Sequence, residues 1–374
     1  MSKILFVANI HKHFIAFHIP YIVWLQQRGN EVHVAAGGEA VSVPYADKQF
    51  NISVQRSPFH WSNLKACREL KAIIRQEKYD LIHCHTPMGA FVARAAAASF
   101  RKTLGIKVLY TAHGFHFYKG APFLHWLTYY PVEKLMSGFT DGIITINRED
   151  YELLSRKRFK NHVSFLVNGV GIDTDKLVMP VKRDKLELRT RYGYKADDFI
   201  LICVAEYIPR KNHRFIVENV PRMAEQIPNL KVLLVGRGLL MEEMQRYAAS
   251  IGAERYIEFL GFRKDVGALQ ALSDVGISAS IQEGLPMNIA EALYSGLPVV
   301  VVKNRGSAEL VKHGMNGFLV ENGKRDMFVK YVAELFRDKP ERIRMGKNAF
   351  ESVQKFTLPE VIKQMSVIYN AFLP

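Results

Sequence analysis

One rhythm constrains this chain more than any other feature. A short β-rich apolar run is followed by a span of helix length, and then by another run. "KILFVA" (3–8) leads to "EVHVAA" (31–36), "YDLIHCH" (79–85), "KVLYTAHG" (107–114) and "GIITIN" (142–147). Each run ends in, or is followed at once by, a polar residue or glycine, a pattern that predicts parallel strands with helices covering both faces of the sheet. The rhythm stops over "NGVGIDTDKLVMPVKRDKLELRTRYGYKADD" (168–198), which is turn-rich and then charged. It restarts with "FILICVA" (199–205), "KVLLVG" (231–236), "YIEFLG" (256–261), "VGISAS" (275–280) and "LPVVVV" (297–302). The expectation is an α/β chain of two doubly wound, Rossmann-like domains, 1–175 and 176–374. The last amphipathic stretch, "PEVIKQMSVIYNAF", is able to pack on either one. A chain of 374 residues sustains two such cores. Ligands of open parallel sheets bind outside the carboxyl ends of the strands, so candidate residues are sought there.

Several classes are excluded or disfavoured. No apolar run is long enough to span a bilayer, and "AFVARAAAASF" is interrupted by Arg94. The apolar run in "MSKILFVANIHKHF" is too short for a signal peptide and reads as a first buried strand. Cys67, Cys84 and Cys203 have no paired spacing, which fits a reducing cytoplasm. A net charge of +15 predicts attraction to anions, or simply a basic surface. No nucleic-acid motif or basic tail is present, so nucleic acid is not an expected partner. Acidic lipid and phosphorylated small molecules remain.

The stretch "EGLPMNIAE" concentrates the chemistry. Glu283 sits in the turn after a strand, Pro286 suits the first position of a helix, and Glu291 lies more than a turn inside that helix. At ~1.5 Å per residue, the five residues from Pro286 to Glu291 advance roughly 7–8 Å. Two staggered acceptors would grip hydroxyls at two ends of a long ligand. The helix start between them offers free N–H groups and a positive dipole to a phosphate. Hydroxyl-bearing groups on both sides of a diphosphate describe a nucleotide sugar. Taken alone, Glu283 reads as a turn residue and Glu291 as an exposed helix glutamate. Arg210 and Lys211, in "AEYIPRKNH" after the first strand of the second half, would stabilise the charge of a departing diphosphate. "VGRGLL" (235–240) is a glycine turn but an incomplete dinucleotide fingerprint, with Met241 at its third glycine position. His83 and His85 alternate onto one strand face, and two ligands without a third make a weak metal site. "DTD" (173–175) reads as turn and helix-capping chemistry.

Together these residues resemble a family. The pair Glu283/Glu291, Lys211, "LVGRG", "FLGFRKDV" and "SGLPVVVVKNRGSAELVKHGMNGFLV", with "DLIHCHTP", "YTAHGF" and "NGVGID" in the first half, resemble GT-B-fold family 4 glycosyltransferases of the bacterial capsular and exopolysaccharide type. The resemblance implies two domains facing a cleft, with the acceptor on the first and the nucleotide sugar on the second. It implies that Glu291 holds ribose hydroxyls. Glu283 would hold the donor sugar together with the N–H groups around Gly284 and Leu285. Arg210 and Lys211 would hold the diphosphate, and Gly236 and the Phe262–Arg263 turn would lie near the base. His113 would face the donor sugar across the cleft, making His113, Glu283 and Lys211 the catalytic set. One position departs from the family pattern: the arginine expected five residues before Lys211 is Glu206.

The reaction implied is retaining transfer of a hexosyl or N-acetylhexosaminyl group from a UDP sugar, with no metal and no cofactor. The acceptor would be a hydroxyl of a polyprenyl-diphosphate-linked saccharide in surface polysaccharide synthesis. The location would be cytoplasmic, peripheral on the inner face of the cell membrane. Two segments of the first half suit an anionic lipid surface. "NLKACRELKAIIRQEK" (63–78) places Cys67, Leu70 and Ile74 on one stripe flanked by Lys65, Arg68, Lys71 and Arg75, and "FHFYKGAPFLHWLTYYPVEKLM" (115–136) is aromatic. A core-packed helix with a solvated face is the plainer reading of the first segment. Two rivals stand beside the transferase: a sugar-nucleotide epimerase of the same fold, which needs additional cleft carboxylates, and a non-catalytic nucleotide- or membrane-binding subunit.

Overall fold

The computed structural model describes residues 1–180 and 184–374. Its contacts divide the chain into two units, Met1–Val170 with Val361–Pro374, and Gly171–Glu360. Each unit is built on one parallel sheet. The first sheet has seven strands: β1 (Lys3–Ile10), β2 (Glu31–Gly37), β3 (Lys48–Asn51), β4 (Leu81–His85), β5 (Lys107–Ala112), β6 (Gly142–Thr145) and β7 (Val163–Leu166). Their spatial order is β3-β2-β1-β4-β5-β6-β7. The second sheet has six: β8 (Phe199–Val204), β9 (Leu230–Val235), β10 (Ile257–Gly261), β11 (Val275–Ser278), β12 (Val299–Val302) and β13 (Gly317–Val320), in the order β10-β9-β8-β11-β12-β13. In both sheets the order reverses beside the first strand of the unit. That reversal opens the crevice in which doubly wound sheets bind ligands.

The central strands are apolar on both faces because helices cover both. β1 is buried from Ile4 to Ala8, and β8 from Phe199 to Cys203. Three strands escape the periodicity reading: β3 ("KQFN"), β7 ("VSFL") and β13 ("GFLV"). All three are four-residue edge strands. The first two have exposed ends and half-buried centres, so their composition is mixed.

Arg94, which interrupts the apolar run 90–100, is fully buried. It pairs with Glu133 at 2.9 Å and lies 4.3 Å from the centre of the Tyr110 ring. Among the described residues no helix is long and apolar enough to cross a membrane. The three cysteines are free, and burial pushes the thiols of Cys84 and Cys203 up to about 12. The last helix, Leu358–Phe372, has its tail in the first unit, where the Tyr369 hydroxyl meets His83 Nδ1 at 2.8 Å.

Candidate active site

In the second unit the loops after β8, β9, β10 and β11 interlock at the carboxyl edge of the sheet. After β8 the chain makes a 3-10 turn, Pro209–Lys211. It then passes through Asn212 in the left-handed conformation (φ 53°) into the helix His213–Ala224. Asparagine tolerates that conformation better than most residues. The Ile281 N–H donates to the Arg210 carbonyl at 2.9 Å, which ties this turn to the loop after β11. The Tyr207 N–H donates to the Arg237 carbonyl at 3.0 Å, and the Gly236 N–H to Gly261 at 2.8 Å. Gly236 has no alternative: a Cβ there would stand 1.9 Å from the Ala205 carbonyl oxygen.

This framework converges on Glu283. Its carboxylate accepts from Lys211 Nζ at 2.5 Å through Oε1, and from Arg210 Nη1 at 3.1 Å through Oε2. Glu283 is only 8% exposed, so it is not a solvated turn residue. The three charges sum to +1. Gly284 and Leu285 follow, then the helix Met287–Tyr294. Pro286 occupies the capping position before that helix and not its first turn. Its φ of −77° suits either place, and its ψ of 97° is extended, so helical geometry starts one residue later than the sequence implies. Asn288 anchors the helix start by donating from Nδ2 to the Val204 carbonyl at 2.8 Å, at the end of β8. The first N–H groups of a helix have no intrahelical acceptor, so anion-binding capacity lies next to the Glu283 cluster.

Glu291 is half-buried in the middle of that helix, and not exposed. Burial raises its carboxyl to about 7, with Lys176 opposing and Asp173 adding to the shift. Asp173 opens the "DTD" segment and Lys176 directly follows it. The segment forms the 3-10 turn Thr174–Lys176, and Asp173 pairs with Lys176 at 2.7 Å without accepting a capping hydrogen bond. The turn expected there is present; the side-chain cap is not.

Phe262 is exposed, with the Arg237 guanidinium 5.1 Å from its ring centre. Arg263 is engaged: it donates to both carboxylate oxygens of Asp265, at 2.8 and 2.6 Å, and the Tyr192 hydroxyl donates to the same group at 2.7 Å. Asp265 is therefore held well below the usual carboxylate range, mainly by Arg263. Arg263 thus shapes the loop after β10. Glu206 is exposed and brings no cation to the site.

Sequence reasoning missed a second layer around Glu283. Asn304 and Ser307 form a reciprocal capping box on the helix Arg305–Leu310, and Asn304 also donates to the Ser280 carbonyl at 2.8 Å. A Cβ on Gly306 would lie 2.9 Å from the Gly284 carbonyl oxygen and 3.0 Å from Glu283 Cβ. The glycine of "KNRGSAE" thus lets this helix press against the Glu283–Gly284 turn. A capping box is readable in sequence; its pressing on Glu283 is not.

His113 belongs to the first unit and follows β5. His85, at the end of β4, is fully buried and joins it: His113 Nε2 and His85 Nδ1 are 3.4 Å apart. His83 does not. Its Nδ1 meets Tyr369 and its Nε2 meets the Thr111 hydroxyl, both at 2.8 Å, so the pairing of His83 with His85 as metal ligands fails. Burial lowers His113 to about 4, which leaves it a neutral imidazole at neutral pH.

Comparison with known proteins agrees with this architecture. Residues 22–176 match the model described as Glycosyltransferase Family 4, and residues 184–352 match Glycosyl transferases group 1. EpsD of Bacillus subtilis (strain 168), named as a glycosyltransferase, is 40% identical over 375 residues, covering 100% of this chain and 97% of that protein. The chain belongs to the GT-B glycosyltransferases of family 4. It is 27% identical over 312 residues to the UDP-Gal:alpha-D-GlcNAc-diphosphoundecaprenol alpha-1,3-galactosyltransferase of Escherichia coli, covering 82% of this chain and 79% of that one. The crystal structure of Anabaena Alr3699/HepE in complex with UDP and glucose superposes with a TM-score of 0.80 at 21% identity, over 99% of this chain and 100% of that one. This glycosyltransferase therefore carries the fold that its strand rhythm predicts, and the epimerase and non-catalytic readings fall away.

Proposed function

We propose that this glycosyltransferase moves a hexosyl or N-acetylhexosaminyl group from a UDP sugar to a hydroxyl of a polyprenyl-diphosphate-linked saccharide, with retention and without a metal. The observation that carries the proposal is the partly buried trio of Glu283, Lys211 and Arg210 beside a helix start, at the carboxyl edge of β8 and β11. Two cations bound to one carboxylate are a site that a diphosphate can enter. The incoming anion competes with Glu283 for Lys211 and Arg210, and the released carboxylate turns to the hydroxyls of the donor sugar. Gly284 and Leu285 supply N–H groups, Glu291 accepts from the ribose, and Gly236 with the Phe262–Arg263 turn borders the base. The fixed cations then stabilise the charge that builds as the sugar–phosphate bond lengthens. The incoming hydroxyl passes its proton to the departing phosphate oxygen, so no strong carboxylate base is required. His113 is the first unit's contribution to the donor sugar. The UDP donor and the lipid-linked acceptor are supported by the names of the Escherichia coli relative and the Anabaena structure.

The first unit also carries a surface suited to an anionic membrane. In the helix Phe123–Ser137 the aromatic residues Trp126, Tyr129 and Tyr130 pack inward against the core. The side left in solvent is aliphatic: Leu124, Leu127, Val132 and Leu135, with Phe123 at its start, are all exposed. On the helix Ser62–Glu77, Lys65, Arg68, Lys71 and Arg75 are exposed, while Ala66, Leu70 and Ile74 are buried and Cys67 sits at the rim. An apolar face and a basic stripe are the two elements of interfacial binding, which supports peripheral attachment to an anionic membrane.

The test is incubation of the purified protein with radiolabelled UDP sugars and a polyprenyl-diphosphate saccharide. Label is expected in the lipid fraction, with the anomeric configuration of the donor kept, and chelation by EDTA should leave the rate unchanged. Loss of activity on chelation, restored by manganese, would remove the metal-free mechanism. Inverted product would remove retention.

A further inference from the structure

The histidine contact described above extends to two more rings. His13 lies in the helix His11–Phe17 that follows β1, and His18 caps the next helix. His18 Nε2 and His13 Nε2 are 3.2 Å apart, and the ring centres of His18 and His85 are 4.0 Å apart. With His113 they gather at the carboxyl edge of three adjacent strands, β1, β4 and β5. One ring nitrogen from each of the four lies within 4.8 Å of the others. His18 and His85 are buried, and His13 and His113 are half-buried, so the group reaches solvent from one side. The Nε2 of His85 has no hydrogen-bond partner among the described residues.

We propose that His13, His18, His85 and His113 form a binding site for a borderline transition-metal cation of the zinc class. The donor set sets the class. Four imidazoles suit zinc, copper, nickel or cobalt, whereas magnesium and calcium demand oxygen ligands. The spacing also fits. Zinc–nitrogen bonds of about 2.0–2.1 Å in a tetrahedron place the nitrogens roughly 3.4 Å apart. The His13–His18 and His85–His113 pairs stand at 3.2 and 3.4 Å, close to that edge length, and one nitrogen of each ring lies within 4.8 Å of the others.

A second cluster in the same unit shows the contrast. Glu31, His33 and Glu77 also lie within reach of one another. There Lys3 and Lys48 contact Glu77 at 3.2 and 3.1 Å, so the carboxylates already have their cations. Among the described residues no ion pair reaches the four-histidine group, so its ring nitrogens have no cation of the protein's own. Its occupant would also withdraw His113. Where His113 serves the donor sugar, as in the function proposed above, the metal acts as an inhibitor, which agrees with metal-free transfer.

Zinc titrated into metal-stripped, full-length protein should bind at one equivalent, and cobalt should give the intense visible bands of a tetrahedral site. Magnesium should not compete. His13→Gln and His18→Gln should each weaken zinc binding by at least about tenfold, whereas His162→Gln, an exposed control outside the cluster, should not. His13 is half-buried, so His13→Gln keeps the test valid if the His18 variant fails to fold. Absence of stoichiometric binding, an octahedral cobalt spectrum, or unchanged affinity in folded His13→Gln overturns the site. Zinc binding without loss of transferase activity leaves the site standing and removes only the role of His113.

Discussion

The two units place polar side chains at the same edge of the same kind of sheet, yet they treat charge in opposite ways. In the second unit, Glu283 is almost removed from solvent and stays partnered because Lys211 and Arg210 neutralise it. In the first, four imidazoles crowd together with no ion pair among the described residues, and burial keeps them neutral. One edge holds a carboxylate between two cations, a pairing that a diphosphate would displace in the proposed function. The other presents uncharged donors. A parallel sheet supplies the position; the residues at its edge decide whether that position holds fixed charge or lone pairs.

The largest expected effect comes from removing the centre of the charged edge. Glu283→Ala should abolish transfer while circular dichroism reports an intact fold. Glu283→Gln separates two roles. With the carboxylate gone, Lys211 and Arg210 have no competing anion, so UDP should bind severalfold more tightly even as transfer is lost. Weaker UDP binding in Glu283→Gln would show that Glu283 does not compete with the diphosphate. Near-normal turnover in folded Glu283→Ala would end its role in the reaction.

The two cations should not be equal. Lys211 is 12% exposed and Arg210 49% exposed in their side chains, so solvent screens Arg210 more. Lys211→Ala should lower kcat by about 10²–10³, or about 2.7–4 kcal/mol, by analogy with other positioned transition-state donors. Arg210→Ala should cost clearly less. An equal loss would mean that Arg210 takes the place of the arginine that Glu206 displaces from the family pattern.

The same contrast explains what was legible beforehand. The loop positions of Glu283, Gly284, Lys211 and Arg210 are legible because a strand end, a proline and a helix start are local signals, whereas the pairing of both cations with Glu283 joins two distant loops and is not. The central strands were readable because burial on both faces makes them continuously apolar. β3 and β7 were not, since these edge strands are half solvated and carry no period, and β13 was not because its mostly buried run is only four residues long. The histidine group was not legible either. His13, His18, His85 and His113 come from three separate βα connections, and no spacing in sequence foretells which loops meet. His83 misled for the same reason, because its partner, Tyr369, lies in the last helix. The sequence of segment 115–136 suggests a lipid-facing surface made of its aromatic residues. The structure turns Trp126, Tyr129 and Tyr130 inward and exposes leucines instead.

Each basic residue near an anionic surface contributes about 1 kcal/mol, fading within a Debye length. Changing Lys65, Arg68, Lys71 and Arg75 to glutamine should therefore weaken sedimentation with acidic liposomes mainly at low salt. Leu124→Glu with Leu127→Glu should weaken it at high salt as well, since apolar insertion is not screened. Both variants should retain transfer to a short water-soluble acceptor. Undiminished, salt-insensitive binding in both variants would place the attachment elsewhere.

The smallest expected effect concerns Glu291, the one carboxylate of the charged edge that burial raises to about 7. Its ordinary value is 4.5. Between those two pH values the folded protein holds a proton that the unfolded chain has released, so stability falls as pH rises through this window, and the loss is complete above it. Glu291→Gln cannot ionise. Its melting temperature should converge with that of the parent near pH 5 and exceed it by a few degrees at pH 8. A parent that loses no stability relative to the variant between pH 5 and pH 8 contradicts the buried, raised carboxyl. The cost is consistent with a ribose-binding role, because the ionised carboxylate accepts from two hydroxyls at once. UDP binding by the parent should therefore strengthen from pH 6 to pH 8 more than binding by Glu291→Gln does. Glu291→Ala should raise KM more than it lowers kcat, since hydrogen bonds to the ribose form in the ground state and persist in the transition state. If UDP affinity has the same pH dependence in parent and Glu291→Gln, the ribose does not lean on this carboxylate, and its burial is structural alone.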